Sequence, residues 1–336
     1  MDTKPLQSTS KKLEPYRYAI GVDRGASNIR VGLVRSDGKV MKLTKQKKLL
    51  LSMQDLTSAA EQLIPPIRAF LQLPDVSGLE LDGIAVSMAG VINRDGQIVD
   101  SAFPPDPSWK TVDLQTMLRT EFSNDLDVVV ENDSKAAAWG EYVYGAGRGS
   151  RNIVCITVGT GIGGGLILDG KLFHGNAGYA GLLGFISVDR HGERCPCGLL
   201  GCLNDYACGT AIANSARYVI QQGGRSILLK ITGGNLENIT SELVFEAARA
   251  GDDLAQRVIW SAADALAIAI ASLLHTLNPD VVVIGGGVAQ QGDFYLDRIR
   301  KTAVENSMRC YTRSPIKLAE LGNLAGTIGA AALLWL

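Results

Sequence analysis

YRYAIGVDRGASNIRVGLV, residues 16–34, returns in altered form as IVCITVGTGIGGGLILDGKLF, residues 153–173. Each reads as a β-rich strand, a polar glycine-bearing turn and a returning strand. In the first copy the turn is Asp23 to Asn28, and Ser36-Asp37-Gly38 then leads into a third strand. In the second the turn is Gly159 to Gly165, and Asp169-Gly170 plays the same part. A meander that recurs in this way predicts an internally duplicated chain. After the first copy, Met53 to Leu71 reads as a helix and LDGIAVSMAG, residues 81–90, as a strand. The expected fold is therefore α/β, with two lobes of similar design and a cleft between them. Length agrees, because 336 residues exceed what a single core of about 250 residues accommodates.

The expected first lobe is 16–133, after a polar tail at 1–15 that ends on Pro15 and is too poor in apolar residues to fold. The second lobe is 134–323 and includes a cysteine-rich loop at 190–204. In it, Leu254 to Leu277 reads as an apolar helix stopped by Asn278-Pro279. VVVIGGGVA, residues 281–289, is then a strand running into three glycines, with a helix over 290–307. A last helix, 324–336, is expected to pack back on the first lobe.

Lys and Arg number 33 against 34 Asp and Glu, a balance that draws the chain to neither nucleic acid nor an anionic membrane. No uninterrupted apolar run reaches the ~20 residues of a membrane span, and Met1 to Arg17 has no signal-peptide core. A cytoplasmic protein acting on a small molecule is expected. Of the six cysteines, the tight group Cys195, Cys197 and Cys202 suggests a metal, while Cys155, Cys208 and Cys310 read as reduced core thiols.

Glycine turns let the backbone approach phosphate oxygens and point several N–H donors at them. Gly25, Ser27 and Asn28 in one turn and Gly159, Thr160, Gly161 and Gly163 in the other would clamp a triphosphate, with Asp23 holding the hydration shell of Mg²⁺. Any one of these is also an ordinary β-turn. Together with Gly285, Gly286 and Gly287, where adenosine would lie, they resemble the phosphate and adenosine sites of the actin-like ATPase (ASKHA) superfamily. The spacing of Gly159, Gly161 and Gly164 also fits a dinucleotide fingerprint, but a strand follows where that motif needs a helix.

VVVENDSKAAAWGE, residues 128–141, places Asp133 where a strand gives way to a helix. A carboxylate there either caps the helix or takes a proton from an attacking hydroxyl. The Asn132-Asp133 pair, the alanines after it and Glu141 resemble the ROK family of sugar kinases, and the order of motifs matches that family from Tyr18 to the C-terminus. The resemblance implies a two-lobed actin-like (ribonuclease H-like) fold and phosphoryl transfer from ATP with Mg²⁺. It makes Asp133 the base, Asn132 and Gly90 substrate contacts and Arg30 part of the nucleotide site, and it implies a homodimer.

The chain departs from that pattern at AGLLGF, residues 180–185, and CPCGLLGCLN, residues 195–204. Leu182 stands for a sugar-binding glutamate, Phe185 for a histidine that serves both zinc and sugar, and Asn204 for a second sugar-contacting glutamate. Pro105 in FPPDPSW stands for a further asparagine. Three cysteines leave one zinc position open, with His191 as a nearby substitute; the alternative is that the loop is a metal-free apolar knot. His174 beside GNAGYAG is placed to face the cleft, and His275 reads as a core or surface histidine; neither is assigned a role. The expected substrate is a sugar or sugar-like cyclitol other than glucose, with a less polar or differently substituted ring such as an amino or deoxy sugar. The alternative is a catalytically weak ROK-like protein that binds a ligand. A DNA-reading repressor fits less well, since about 15 residues precede the first strand.

Overall fold

The computed structural model describes residues 16–25, 28–47, 57–100, 111–122, 126–311 and 314–336. The expectations for the 1–15 tail, Ser27 and Pro105 lie outside these. Strands β1 (Tyr18–Arg24), β2 (Asn28–Arg35) and β3 (Val40–Lys47) form the first meander. Helix α1 (Thr57–Leu71), β4 (Gly83–Met88), the small hairpin β5 (Val91–Ile92) and β6 (Ile98–Asp100), α2 (Leu114–Phe122) and β7 (Asp127–Asn132) follow. They build a sheet in the order β3-β2-β1-β4-β7.

Helix α3 (Asp133–Tyr144) leads into β8 (Ile153–Val158), β9 (Ile162–Leu168) and β10 (Lys171–Leu172). Helices α4 (Asn204–Ala207), α5 (Gly209–Gln221), α6 (Leu228–Ile231), α7 (Ser241–Arg249) and α8 (Asp253–Leu277) precede β11 (Val281–Gly285), α9 (Asp293–Glu305), β12 (Ile316–Leu318) and α10 (Ala325–Leu333). The second sheet runs β10-β9-β8-β11-β12. Its pairings repeat the first: two antiparallel contacts in the meander, then two parallel ones. The duplication expected from the sequence is present strand for strand.

Burial explains the strand compositions. β1 has parallel β4 on one side and is buried from Ala19 to Arg24, which suits an unbroken apolar run rather than an alternating one. β3 is an edge, and its Lys42, Lys45 and Lys47 discourage pairing with another chain. One core gathers Ile20, Val22, Leu63, Ile67, Phe70 and Met88, and another gathers Ile156, Phe245, Leu266, Ile284 and Tyr295. A third, containing Ala136, Trp139, Cys155, Val283 and Leu333, lies where α3 and α10 cross. Helix α3 packs on β8 and β9, and α10 packs on β1 and β4.

Four expectations are corrected. β1 continues through Arg24, so Asp23 is a strand residue. Gly163 to Gly165 belong to β9 and only Gly159 to Gly161 turn, because β9 must lie close to α3: a Cβ on Gly163 would collide with the Ser134 hydroxyl. The helix beyond β11 breaks at Gly292, whose φ of 127° suits glycine alone, so α9 starts at Asp293. Cys310 is exposed, in a surface turn, whereas Cys155 and Cys208 are buried as expected. Helix α8 has 25 residues and an 18-residue window of mean hydropathy 1.7, long and apolar enough for a membrane span, yet 67% of that window is buried. It is the central helix of the second core.

Candidate functional site

The N-terminus of α3 lies beside the end of β1, where the charge of Asp23 is felt at Asp133, and beside β8, where Ser134 meets Thr157, while the third glycine turn packs on Val158. In the first glycine turn, the Gly25 amide donates to the Asn28 carbonyl (3.0 Å). Asp23 lies in β1 opposite Arg30 of β2, and the Arg30 Nη1 donates to Asp23 Oδ2 at 2.8 Å. Burial raises the Asp23 carboxyl, while the Arg30 guanidinium opposes the rise. Arg30 thus holds Asp23 in place, a nearer duty than the nucleotide contact expected of it.

In the second turn the Gly159 amide donates to the Gly161 carbonyl (2.9 Å). The start of α5 braces this turn, with the Gly209 amide donating to Gly159 O (2.8 Å) and the Thr210 hydroxyl to Thr160 O (3.0 Å). In the third, Gly286 has φ 89° and lies so close to Val158 that a side chain there would collide with its backbone. Gly287 beside it is exposed, and a Cβ there would meet open space. That is the backbone a ligand can approach.

At the end of β7 the helix cap is Asn132, not Asp133. The Asn132 Oδ1 accepts from the amides of Ser134 (3.0 Å) and Lys135 (3.2 Å), and its Nδ2 donates to Gly90 O (3.0 Å). Gly90 has φ 137° and is buried, so Asn132 and Gly90 fix one another. Asp133 Oδ1 accepts from the Ser134 amide (2.7 Å) and hydroxyl (3.2 Å), while Oδ2 takes no hydrogen bond among the described residues. Burial pushes the Asp133 carboxyl above its ordinary range and the charge of Asp23 adds to the rise. The Ser134 hydroxyl also meets that of Thr157 on β8 at 2.8 Å, which ties this corner to the second turn.

Four side chains unassigned from the sequence join the site. Glu131 is buried; its Oε1 accepts from the Asn132 amide (2.8 Å) and its Oε2 lies 2.7 Å from His174 Nε2. Lys135, also buried, has its Nζ 3.7 Å from Glu131 and donates to the Gly178 carbonyl. Arg94 Nε, beyond β5, donates to Gly175 O (3.2 Å). Segment 174–181 of the second lobe is therefore anchored to the first. Only His174 carried a signal in the sequence, its place beside GNAGYAG. Partners 43 residues apart, as Glu131 and His174 are, leave no local pattern.

Asn204 is buried at 4% exposure, and its Oδ1 accepts from the Ile162 amide at 2.7 Å. It supports the second glycine turn through that oxygen. The sulfurs of Cys195, Cys197 and Cys202 lie within 4.8 Å of one another, a donor set that suits zinc. His191 is outside that group; it is exposed and its Nε2 accepts from Arg190 Nε (2.9 Å).

The profile of the ROK family matches residues 19–335. The chain belongs to the ROK family. It is 34% identical over 323 residues to a glucokinase of Thermotoga maritima, covering 95% of this chain and 98% of the relative. A ROK family glucokinase from Streptomyces griseus, solved in complex with glucose and AMPPNP, superposes with a TM-score of 0.78 at 31% identity, covering 94% of this chain and 98% of that one. A xylose repressor of Caldicellulosiruptor bescii is 28% identical and covers 94% of this chain and 77% of the relative. The duplicated sheets are thus the two-lobed actin-like fold of ROK sugar kinases.

Proposed function

We propose that this ROK protein transfers the γ-phosphoryl group of ATP to a hydroxyl of a sugar or sugar-like substrate other than glucose, with Asp133 as general base. The observation that carries the reading is Asp133 Oδ2, which takes no hydrogen bond among the described residues, at the N-terminus of α3 on a carboxyl whose proton affinity is raised. A base so raised withdraws the acceptor's proton more readily as its oxygen attacks phosphorus. Asn132 and Gly90 shape the acceptor side. The turns at Gly25 to Asn28 and Gly159 to Gly161 hold the phosphates, and the backbone at Gly287 approaches the adenosine. Mg²⁺ bound to ATP would neutralise charge on the phosphates, and Asp23 would hold its water shell.

The regulator among the relatives supports a second reading, a ligand-binding protein without turnover. A coupled ADP-release assay with MgATP across sugars, amino sugars, deoxy sugars and cyclitols separates the two. Sustained turnover on any acceptor supports the kinase. Nucleotide binding with no turnover on the whole panel supports the second. A homodimer rests on the family resemblance alone, and sedimentation tests it.

A further inference from the structure

Glu131 and Lys135 stand on either side of the Asn132-Asp133 pair, one near the end of β7 and the other in the first turn of α3. Both side chains are charged and both are shut away from water, at 8% and 3% exposure. Charges so placed are tolerated only where partners meet them. Each is the other's counter-ion, but at 3.7 Å that contact leaves hydrogen-bonding capacity over. The remainder goes to one segment distant in the chain. His174 Nε2 donates to Glu131 Oε2 at 2.7 Å, and the Lys135 ammonium donates to the Gly178 carbonyl.

The segment they hold is a closed loop. The Ala180 amide donates to the His174 carbonyl at 3.1 Å, so residues 174–180 begin and end at one place. Gly175 at φ 69° and Gly178 at φ 99° make its bends. Gly178 also rests on the turn between β5 and β6, where a Cβ on it would lie 2.8 Å from Asn93 Cα. Arg94 Nε in that turn donates to Gly175 O at 3.2 Å. Asn176 and Ala177 are exposed between these pins. A buried ion pair adds little net stability over apolar residues of like volume. What this pair adds is direction, because its spare hydrogen bonds fasten the loop to the two residues that flank the catalytic pair.

We propose that Glu131 and Lys135 are positioning residues that hold loop 174–180 beside Asp133 as one wall of the acceptor site. The inference rests on the kinase reading. The loop and the Asn132-Asp133 junction then keep one geometry, and an acceptor bound against the loop presents its hydroxyl to Asp133 without a search. The second nucleotide turn is braced separately, by Gly209 and Thr210. Loosening the loop should therefore weaken the acceptor and spare the nucleotide.

The test uses the full chain and three variants: Lys135→Met, which removes the ammonium, His174→Leu, which removes the donor to Glu131, and His174→Gln, whose amide can replace that donor. Hydrogen exchange without substrates should be at least about 10-fold faster over 174–180 in Lys135→Met and His174→Leu, with α8 unchanged, and His174→Gln should restore protection. With the best acceptor found by ADP release, the first two variants should raise the acceptor KM at least about 10-fold and leave the MgATP KM within about 2-fold. Should Lys135→Met fail to fold, His174→Leu carries the same test from the half-buried end of the network. Unchanged exchange over 174–180, an unchanged acceptor KM, or a rise of both KM values together would each overturn the proposal. Absence of turnover on every acceptor would count against the kinase reading instead, and the exchange measurement would then decide the positioning by itself.

Discussion

Asp133 serves two opposed ends. Burial and the nearby charge of Asp23 raise its proton affinity, which suits a base but makes the ionised form a burden on the fold. A folded-state pKa above the unfolded value of about 3.9 means that the folded chain binds more protons through that window. The group's contribution to stability is present below the unfolded value and lost as pH rises through the folded one. Asp133→Asn should therefore lower kcat by about 10²-fold or more with nucleotide affinity retained, and also raise Tm at pH 7. The gain in Tm should shrink as pH falls and the wild-type carboxyl becomes protonated. Paired melting curves and initial rates over pH check this; wild-type kcat should rise on leaving the acid range. Activity of the variant within a few-fold of wild type would remove Asp133 from the chemistry. Asp23 is raised too, by burial and against the pull of Arg30.

Helix α3 begins at Asp133 and crosses α10 along its length. A Cβ on Gly329 of α10 would collide with the Ala136 carbonyl, and one on Gly140 would come within 3.0 Å of Gly329 Cα. Gly329→Ala keeps helix geometry but forces the crossing apart. It should cost about 1–3 kcal/mol in denaturant unfolding and raise KM for both substrates; unchanged stability would mean that the crossing is loose. At the far end of α3, the buried Glu141 carboxylate accepts from the amides of Ala146 (2.9 Å), Glu320 (3.0 Å) and Leu321 (2.8 Å). Glu141→Ala strands these donors and should cost at least about 2 kcal/mol by the same measurement, with Glu141→Gln between it and wild type. The sequence discloses features whose cause is local: β-branched runs beside glycines, the Asn132-Asp133 junction, the cysteine spacing. It hides those whose cause is a distant partner. Glu141 looks like any helical glutamate until residues 320 and 321 arrive beside it. The glycines of β9 look like a turn because a glycine that makes room for Ser134 is, in sequence, indistinguishable from one that bends.

In the proposed reading, substrate choice belongs to the whole molecule, with Asn132 and Gly90 on one side of the acceptor and segment 174–185 on the other. The anchoring of that segment by Glu131, Lys135 and Arg94 brings it against the catalytic corner. By the family resemblance, Leu182 and Phe185 occupy the places of a glutamate and a histidine, and neither side chain can hydrogen-bond a hydroxyl. Asn204, the third departure, already has its oxygen on the Ile162 amide. A hydroxyl buried against such groups loses its water without gaining a partner, and polar mismatches of this kind discriminate far more strongly than a missing methylene. The glucokinases among the relatives therefore do not settle the acceptor. Glucose and N-acetylmannosamine should be used with kcat/KM at least about 10²-fold below that of the best deoxy or amino sugar or cyclitol, read by ADP release at saturating MgATP. Leu182→Glu should narrow the gap for glucose without improving the preferred acceptor, because it returns an acceptor group for hydroxyls to that side of the cleft. Glucose turnover within 10-fold of the best acceptor, in a protein whose Leu182→Glu variant behaves as wild type, would show that Ala180 to Phe185 does not face the sugar.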